Sequence, residues 1–280
     1  MNRLNHIPGK VILAGEHAVV YGKMALATSI SLGVSVGVVE NDWSPKNPLI
    51  DKAIEVAGGD ENIQVKIVSE LPIGSGLGSS AAVSVATIRA VREYLGKPID
   101  NGELFNLTME CEKLAHGNAS GIDPTTVVYG GLIAFTKGQP FERLEIKNPI
   151  KLLLVNSGKP AESTKEMVEL VANNPENRQV IDKIARLVEE VREKLVDGSE
   201  VSELLNQNGL LLEELGVVGE RAKGLSRELR EIGARVKITG AGGVKTGSGM
   251  MVVIAPEYTK IRKLLDNKQI DYFETVIGEK

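Results

Sequence analysis

Pro72-Ile73-Gly74-Ser75-Gly76-Leu77-Gly78-Ser79-Ser80-Ala81-Ala82 is the stretch on which the reading of this chain turns. Glycine stands at three alternate positions, two hydroxyls follow, and a helical pattern starts at once. Over 79–95, Ala82, Val83, Ala86, Val91 and Leu95 fall on one face, with Arg89, Arg92 and Glu93 mostly off it. Glycine opens backbone conformations that a Cβ closes. The first turn of a helix leaves N–H groups unpaired and carries the positive end of the helix dipole, so this arrangement suits an anion, phosphate above all. The spacing is not that of the P-loop, which ends in Gly-Lys-Ser/Thr. Nor is it the dinucleotide fingerprint, which sets two residues between its second and third glycines. The plainer alternative is a glycine-rich turn capped by Ser79.

Upstream of this loop the chain reads as strands: Val11 to Leu13, Val34 to Val39, and Ile63, Val65 and Ile67 alternating with Gln64, Lys66 and Val68. Downstream, a second helix is expected over 102–115, stopped by His116-Gly117. Lys151 to Val155 reads as a buried strand opening a second unit. Amphipathic helices follow, first through Val180, Ile184, Leu187, Val188, Val191 and Leu195, then through Val201, Leu204, Leu205, Asn208, Leu211, Leu212 and Leu215. Val236–Ile238 and Met250–Ile254 are short strand candidates on either side of a second glycine cluster. Strands and helices mix without regular alternation, so the class is α+β. Two domains are expected, 1–150 and 151–280.

Composition bounds the function. At 280 residues, 42% hydrophobic and 25% charged, the chain can bury a core without disulfides. A net charge of −4 argues against a surface built to neutralise nucleic-acid phosphates. The single cysteine, Cys111, excludes an intramolecular disulfide and a Cys-cluster zinc site. No apolar run reaches a membrane span, and the N-terminus does not read as a signal peptide. A cytoplasmic protein with no membrane and no nucleic-acid partner is expected.

Three further segments carry polar chemistry. Glu112 falls late on the second helix and Asp123 on the loop after it; two carboxylates on adjacent elements can divide the holding of a cation and the taking of a proton. Taken singly, they read equally as a solvated helix Glu and a turn Asp before Pro124. Pro8-Gly9-Lys10 precedes an apolar strand that ends in Gly15-Glu16-His17, so the lysine is placed to hold a phosphate or polarise a hydroxyl. A lone His is more often structural, and His17 keeps that alternative. Lys237-Ile238-Thr239-Gly240-Ala241-Gly242-Gly243 is a strand running into a loop suited to wrapping phosphate or substrate.

The three glycine-bearing segments, at 8–22, 72–82 and 237–243, occur together in the order and content of the GHMP kinase family, which this sequence resembles. Within that family the resemblance is to the mevalonate kinases, through Gly15-Glu16-His17-Ala18-Val19-Val20-Tyr21-Gly22, through His116-Gly117-Asn118-Ala119-Ser120-Gly121-Ile122-Asp123, and through the Asn156–Lys165 segment. The resemblance implies an N-terminal mixed α/β domain, a ferredoxin-like C-terminal domain, and an active site between them. It implies an ATP-dependent kinase acting on the 5-hydroxyl of mevalonate. The alternatives are another small-molecule kinase of the family, or a non-catalytic nucleotide-binding homologue. Asp123 would be the general base and Lys10 its catalytic neighbour. Gly74, Ser75, Gly76, Leu77, Gly78, Ser79 and Ser80 would wrap the triphosphate, and Ser80 and Glu112 would hold Mg²⁺. Glu16, His17, Thr164, Gly240 and Ala241 would line the mevalonate side. A homodimer is the family-level expectation.

The sequence also departs from the family. The third motif continues as Gly243-Val244-Lys245-Thr246-Gly247-Ser248-Gly249, without the usual further glycines and Cys. Lys245 is an added cation, expected to be solvated. Pro124 follows Asp123 where the family often has Asn, and the stretch from Val39 to Ile63 is short, so the flap over nucleotide is expected to be reduced.

Overall fold

The structure, a computed structural model, describes residues 5–39, 47–72, 74–116 and 120–278. In chain order the elements are β1 (Asn5–Ala14), a 3-10 turn (Ala18–Tyr21), β2 (Ala25–Val39), α1 (Pro48–Val56), β3 (Gln64–Ser69), α2 (Ser79–Tyr94), α3 (Asn101–His116) and α4 (Ile122–Tyr129). They continue as β4 (Leu132–Phe135), β5 (Glu142–Leu144), β6 (Ile150–Asn156), α5 (Thr164–Ala172), α6 (Asn177–Asp197), α7 (Ser202–Glu214), α8 (Glu220–Glu231), β7 (Arg235–Ile238), β8 (Met250–Ile254), α9 (Thr259–Asn267) and β9 (Tyr272–Ile277). The described residues form two compact units whose segments interleave. One is drawn from Met1–Lys10, Ser29–Pro72 and Gly78–Gly130; the other from Val11–Thr28, Ile73–Leu77 and Gly131–Lys280. Residue 150, expected as a boundary, falls inside the second unit, and the glycine loop changes unit after Leu77.

In the first unit, α1 opens with Pro48 and is capped by Asn47, whose side chain accepts from the Leu49 and Ile50 N–H groups at 3.0 and 3.4 Å. α2 turns Ala81, Ala82, Val85, Ala86, Ile88 and Val91 inward against α1, α3 and α4. Its alanines let the neighbouring helices approach closely, and that tight packing fixes the helix start where the glycine loop ends. The far half of β2 pairs antiparallel with β3, Val34 opposite Ser69 through Val39 opposite Gln64. Cys111 is buried on α3, and desolvation pushes its thiol up to about 11.

In the second unit, β6 carries Leu152, Leu153, Leu154 and Val155, all buried. A continuous apolar run of this kind needs cover on both faces and partners on both edges. It has those partners in a sheet ordered β7-β8-β6-β9, with β6 antiparallel to both β8 and β9. With α5 to α8 inserted between β6 and β7, and α9 between β8 and β9, this is the β-α-β-β-α-β pattern of a ferredoxin-like domain. The first residues of β2 pair with β4, and β4 pairs with β5. Strand β2 begins at Ala25, well before the Val34 at which strand residues became recognisable, because Ala25, Ala27 and Thr28 are buried without the β-branched run that marks a strand in sequence. None of the described helices is long and apolar enough to cross a membrane.

Helix α7 lies on β7 through Gly209, where an added Cβ would strike the Val236 carbonyl and come within 3.0 Å of Lys237 Cβ. Gly224, inside α8, faces open space, with nothing within 4 Å of an added Cβ. Gly209→Val is therefore expected to destabilise by about 1–3 kcal/mol, and Gly224→Ala to stabilise by roughly 0.5–1 kcal/mol. Urea midpoints of the two variants check both signs.

Candidate active site

Lys10, at the first unit's end of β1, has its aliphatic stem packed under Gly78. A Cβ on Gly78 would lie 2.8 Å from Lys10 Cγ and 3.1 Å from Cε, and the residue holds φ +71°. Space and backbone conformation both demand glycine there. The Gly78 carbonyl accepts from the Ala82 N–H at 2.9 Å, so the same residue opens α2. The Lys10 side chain is only 2% exposed, and its ammonium meets Asp123 Oδ1 at 2.9 Å. Asp123 lies in the first turn of α4, where the helix dipole favours a negative charge. Its side chain keeps 31% exposure, so the carboxylate is held by the lysine and still reachable from outside. Thr125 and Thr126 donate to the carbonyls of Gly121 and Ile122 at 2.7 and 2.8 Å and fix that first turn.

Ser80, second residue of α2, donates its hydroxyl to Glu112 Oε1 at 2.6 Å. Glu112 is buried on α3. A carboxylate and a hydroxyl side by side are hard oxygen donors. Among the described residues no group of three or more His, Cys, Asp or Glu gathers in the manner of a protein cage for a metal. The pair therefore fits an ion that keeps its own waters and takes phosphate oxygens, which is the habit of Mg²⁺.

The second unit brings the other named residues together. The Ser75 carbonyl accepts from the Met250 N–H at 2.9 Å, and a Cβ on Gly76 (φ +86°) would lie 2.6 Å from the Thr239 carbonyl. The 74–77 part of the glycine loop is thus laid backbone to backbone on the Thr239-Gly240 turn. Thr239 Oγ1 accepts from the Ile12 N–H at 2.8 Å. Buried Lys237 pairs with buried Glu16 and donates to the Ile12 carbonyl at 3.0 Å. His17 takes the left-handed φ of +60°, uncommon for a residue with a side chain, and its Nε2 is 3.0 Å from the Ala241 carbonyl. A carbonyl can only accept, so Nε2 carries the proton and Nδ1 is left as an acceptor. Burial pushes the His17 pKa down, and the imidazole is neutral. Thr164 stands exposed as the first residue of α5; its neighbour Ser163 forms a capping box with Glu166. Among the described residues Thr164 makes no hydrogen bond to the other candidate side chains. Gly117, Asn118 and Ala119 of the Asp123 signature, Ile73 of the glycine loop, and residues 40–46 of the shortened stretch lie outside the described residues.

The departure at 243–249 has a structural account. Glu162 accepts from the Val244 and Lys245 N–H groups at 3.3 and 3.0 Å. Ser248 donates to the Gly243 carbonyl at 2.8 Å and accepts from the Gly219 N–H at 2.9 Å. Ser157 donates to the Gly249 carbonyl at 2.8 Å and accepts from the Ser248 N–H at 3.1 Å. Lys245 is exposed, as expected of a solvated cation, and lowers the pKa of nearby Glu166 only as a minor contributor beside Ser163. Sequence reasoning missed the Glu16–Lys237 pair and the anchoring by Glu162. A signal for the first was present: opposite charges each set beside apolar residues, Glu16 after Val11–Ala14 and Lys237 between Val236 and Ile238.

A neutral buried His17 sets a pH dependence. The unfolded chain binds the proton that the folded chain refuses, so stability is complete above about 6.5 and falls as pH drops below that value. The carboxylates with lowered pKa, such as Glu166 and Asp182, act only below their ordinary values of 4.5 and 3.8. Urea unfolding between pH 7.5 and 5.5 is expected to show this loss, and His17→Gln to flatten it.

Comparison with known proteins bears on this arrangement. The family model described as GHMP kinases N terminal domain matches residues 48–131. The chain is 36% identical to a mevalonate kinase of Archaeoglobus fulgidus over 84% of this chain and 88% of that one. It is 35% identical to a mevalonate kinase of Thermococcus sibiricus over 92% and 90%. Its fold matches the crystal structure of the Methanococcus jannaschii mevalonate kinase with a TM-score of 0.83 at 24% identity, covering 100% and 99% of the two chains.

Proposed function

The chain belongs to the GHMP kinase family, and from that premise we propose that it is a mevalonate kinase, transferring the γ-phosphoryl group of ATP to the 5-hydroxyl of (R)-mevalonate. The relatives' shared activity supports the reading. The observation that carries it onto these residues is the Lys10–Asp123 pair, held directly under the glycine that opens α2. Phosphoryl transfer asks a protein for positioning and charge neutralisation more than for covalent chemistry. Gly74 to Ser80 supply backbone N–H groups and a helix start to the triphosphate.

Asp123 faces the 5-hydroxyl, orients it, and takes its proton as the oxygen–phosphorus bond forms; the bond to the β-phosphate oxygen breaks, and ADP leaves. A hydroxyl is a weak acid, so the carboxylate can serve only because the Lys10 ammonium beside it stabilises the developing alkoxide charge. Ser80 and Glu112 would hold Mg²⁺, which supplies neutralisation of the phosphate oxygens when bound. His17, with Nδ1 as acceptor, would read a mevalonate hydroxyl. Glu16, Thr164, Gly240 and Ala241 complete that side, Glu16 being oriented by Lys237. A cytoplasmic homodimer goes with this reading.

Asp123→Asn keeps the shape of the side chain and removes the base. Turnover is expected to fall about 10²–10⁴-fold, with ATP binding retained and the melting temperature recorded alongside. Coupled ADP release with mevalonate as the only acceptor, followed by mass analysis of the product, measures it. Turnover unchanged in that variant would remove Asp123 as the base, and no product from the wild-type chain would remove the activity.

A further inference from the structure

We propose that Lys159 is a second cation for the nucleotide, contacting the ATP polyphosphate from the Gly74 side of the glycine loop; this rests on the kinase reading above and adds a residue to it. A Cβ on Gly74 would lie 3.2 Å from Lys159 Cε, 3.8 Å from Cγ and 3.9 Å from Cδ. The stem of the lysine therefore runs along the face of the loop where an added side chain would sit, and both residues are open to solvent. Among the described residues the ammonium has no ion pair and no hydrogen bond. The Lys159 carbonyl accepts from Thr246 Oγ1 at 2.7 Å.

The placement is imposed by the backbone around it. The Gly158 N–H donates to Asn156 Oδ1 at 2.9 Å, and the Gly158 carbonyl accepts from the Gly249 N–H at 2.9 Å. A Cβ on Gly243 would strike Pro160 at 2.7 Å, so the chain is also gripped on the far side of the lysine. The nearest acid on the same segment, Glu162, is engaged by the Val244 and Lys245 N–H groups. A segment pinned by these contacts thus lays the lysine's stem along a loop whose own N–H groups suit phosphate, its ammonium without an ion pair among the described residues. Lysine is a compact point charge of the kind that binds phosphate without needing planar geometry. The residues that hold it in place, Thr246 and the Glu162-bound turn, are those by which this chain departs from its family's third motif.

The test uses Lys159→Gln and Lys159→Arg in the full-length chain, with calorimetric binding of ATP, ADP and AMP and steady-state kinetics. Lys159→Gln is expected to weaken ATP and ADP about tenfold while leaving AMP affinity, the KM for mevalonate and the melting temperature within twofold or one degree of wild type. Lys159→Arg is expected to restore most of the loss, and the salt dependence of ATP binding to be shallower in Lys159→Gln. Unchanged ATP affinity in Lys159→Gln overturns the proposal. So does an equal loss for AMP, or a loss that tracks a fall in melting temperature, since each marks a structural role. A wild-type chain that binds ATP but phosphorylates no mevalonate overturns the proposed activity alone and leaves the lysine to be judged by the binding data. One that binds no ATP overturns both.

Discussion

An ammonium taken out of water must be given an anion, and the first unit is organised around that requirement at Lys10. Desolvating a lone charge costs several kcal/mol in practice, so a side chain with 2% exposure commits the fold to Asp123. The commitment propagates. The stem of the lysine leaves no room for a Cβ at Gly78, Gly78 starts α2, and α2 delivers Ser80 to Glu112. A buried ion pair is weak evidence for stability. Its value here is that a carboxylate, an ammonium and a helix start are given fixed mutual positions.

The second unit repeats the device with different partners. Lys237 and Glu16 are both buried, and the lysine also ties down the Ile12 carbonyl, while Thr239 takes the Ile12 N–H. Two segments more than two hundred residues apart are thereby locked in register. His17 holds an uncommon backbone conformation directly after Glu16 and donates its Nε2–H to the Ala241 carbonyl. Strain of this kind persists only where the surroundings over-determine it, and the pair beside it does so. The result is a neutral ring with a defined acceptor nitrogen beside a turn of glycines.

Much of this was legible in the sequence because it depends on local rules. The start of α2 at Ser79 follows from glycine before and alanine after, α3, β6, β7 and β8 lie where the sequence places them, and α6 and α7 keep the helical spacing that marks them. Asp123, Lys10, Ser80 and Glu112 could be named because their order resembled a family, but their geometry could not. No periodicity states that Ser80 donates to Glu112 across thirty-two positions, or that Glu162 would hold the backbone of a loop eighty residues on. The long start of β2 was hidden for a different reason. Ala25, Ala27 and Thr28 become strand by burial against β4, and burial is a tertiary fact that intrinsic propensity does not record.

The lone thiol has a chemical consequence. Ser248 of the second glycine cluster is tied into the backbone of its loop, where a thiol is absent. The remaining Cys111 lies wholly buried within α3, and its pKa of about 11 leaves almost no thiolate near neutrality. At a cysteine, disulfides, peroxide and alkylating agents react with the thiolate. In the folded protein Cys111 is therefore a poor target for thiol-directed reagents.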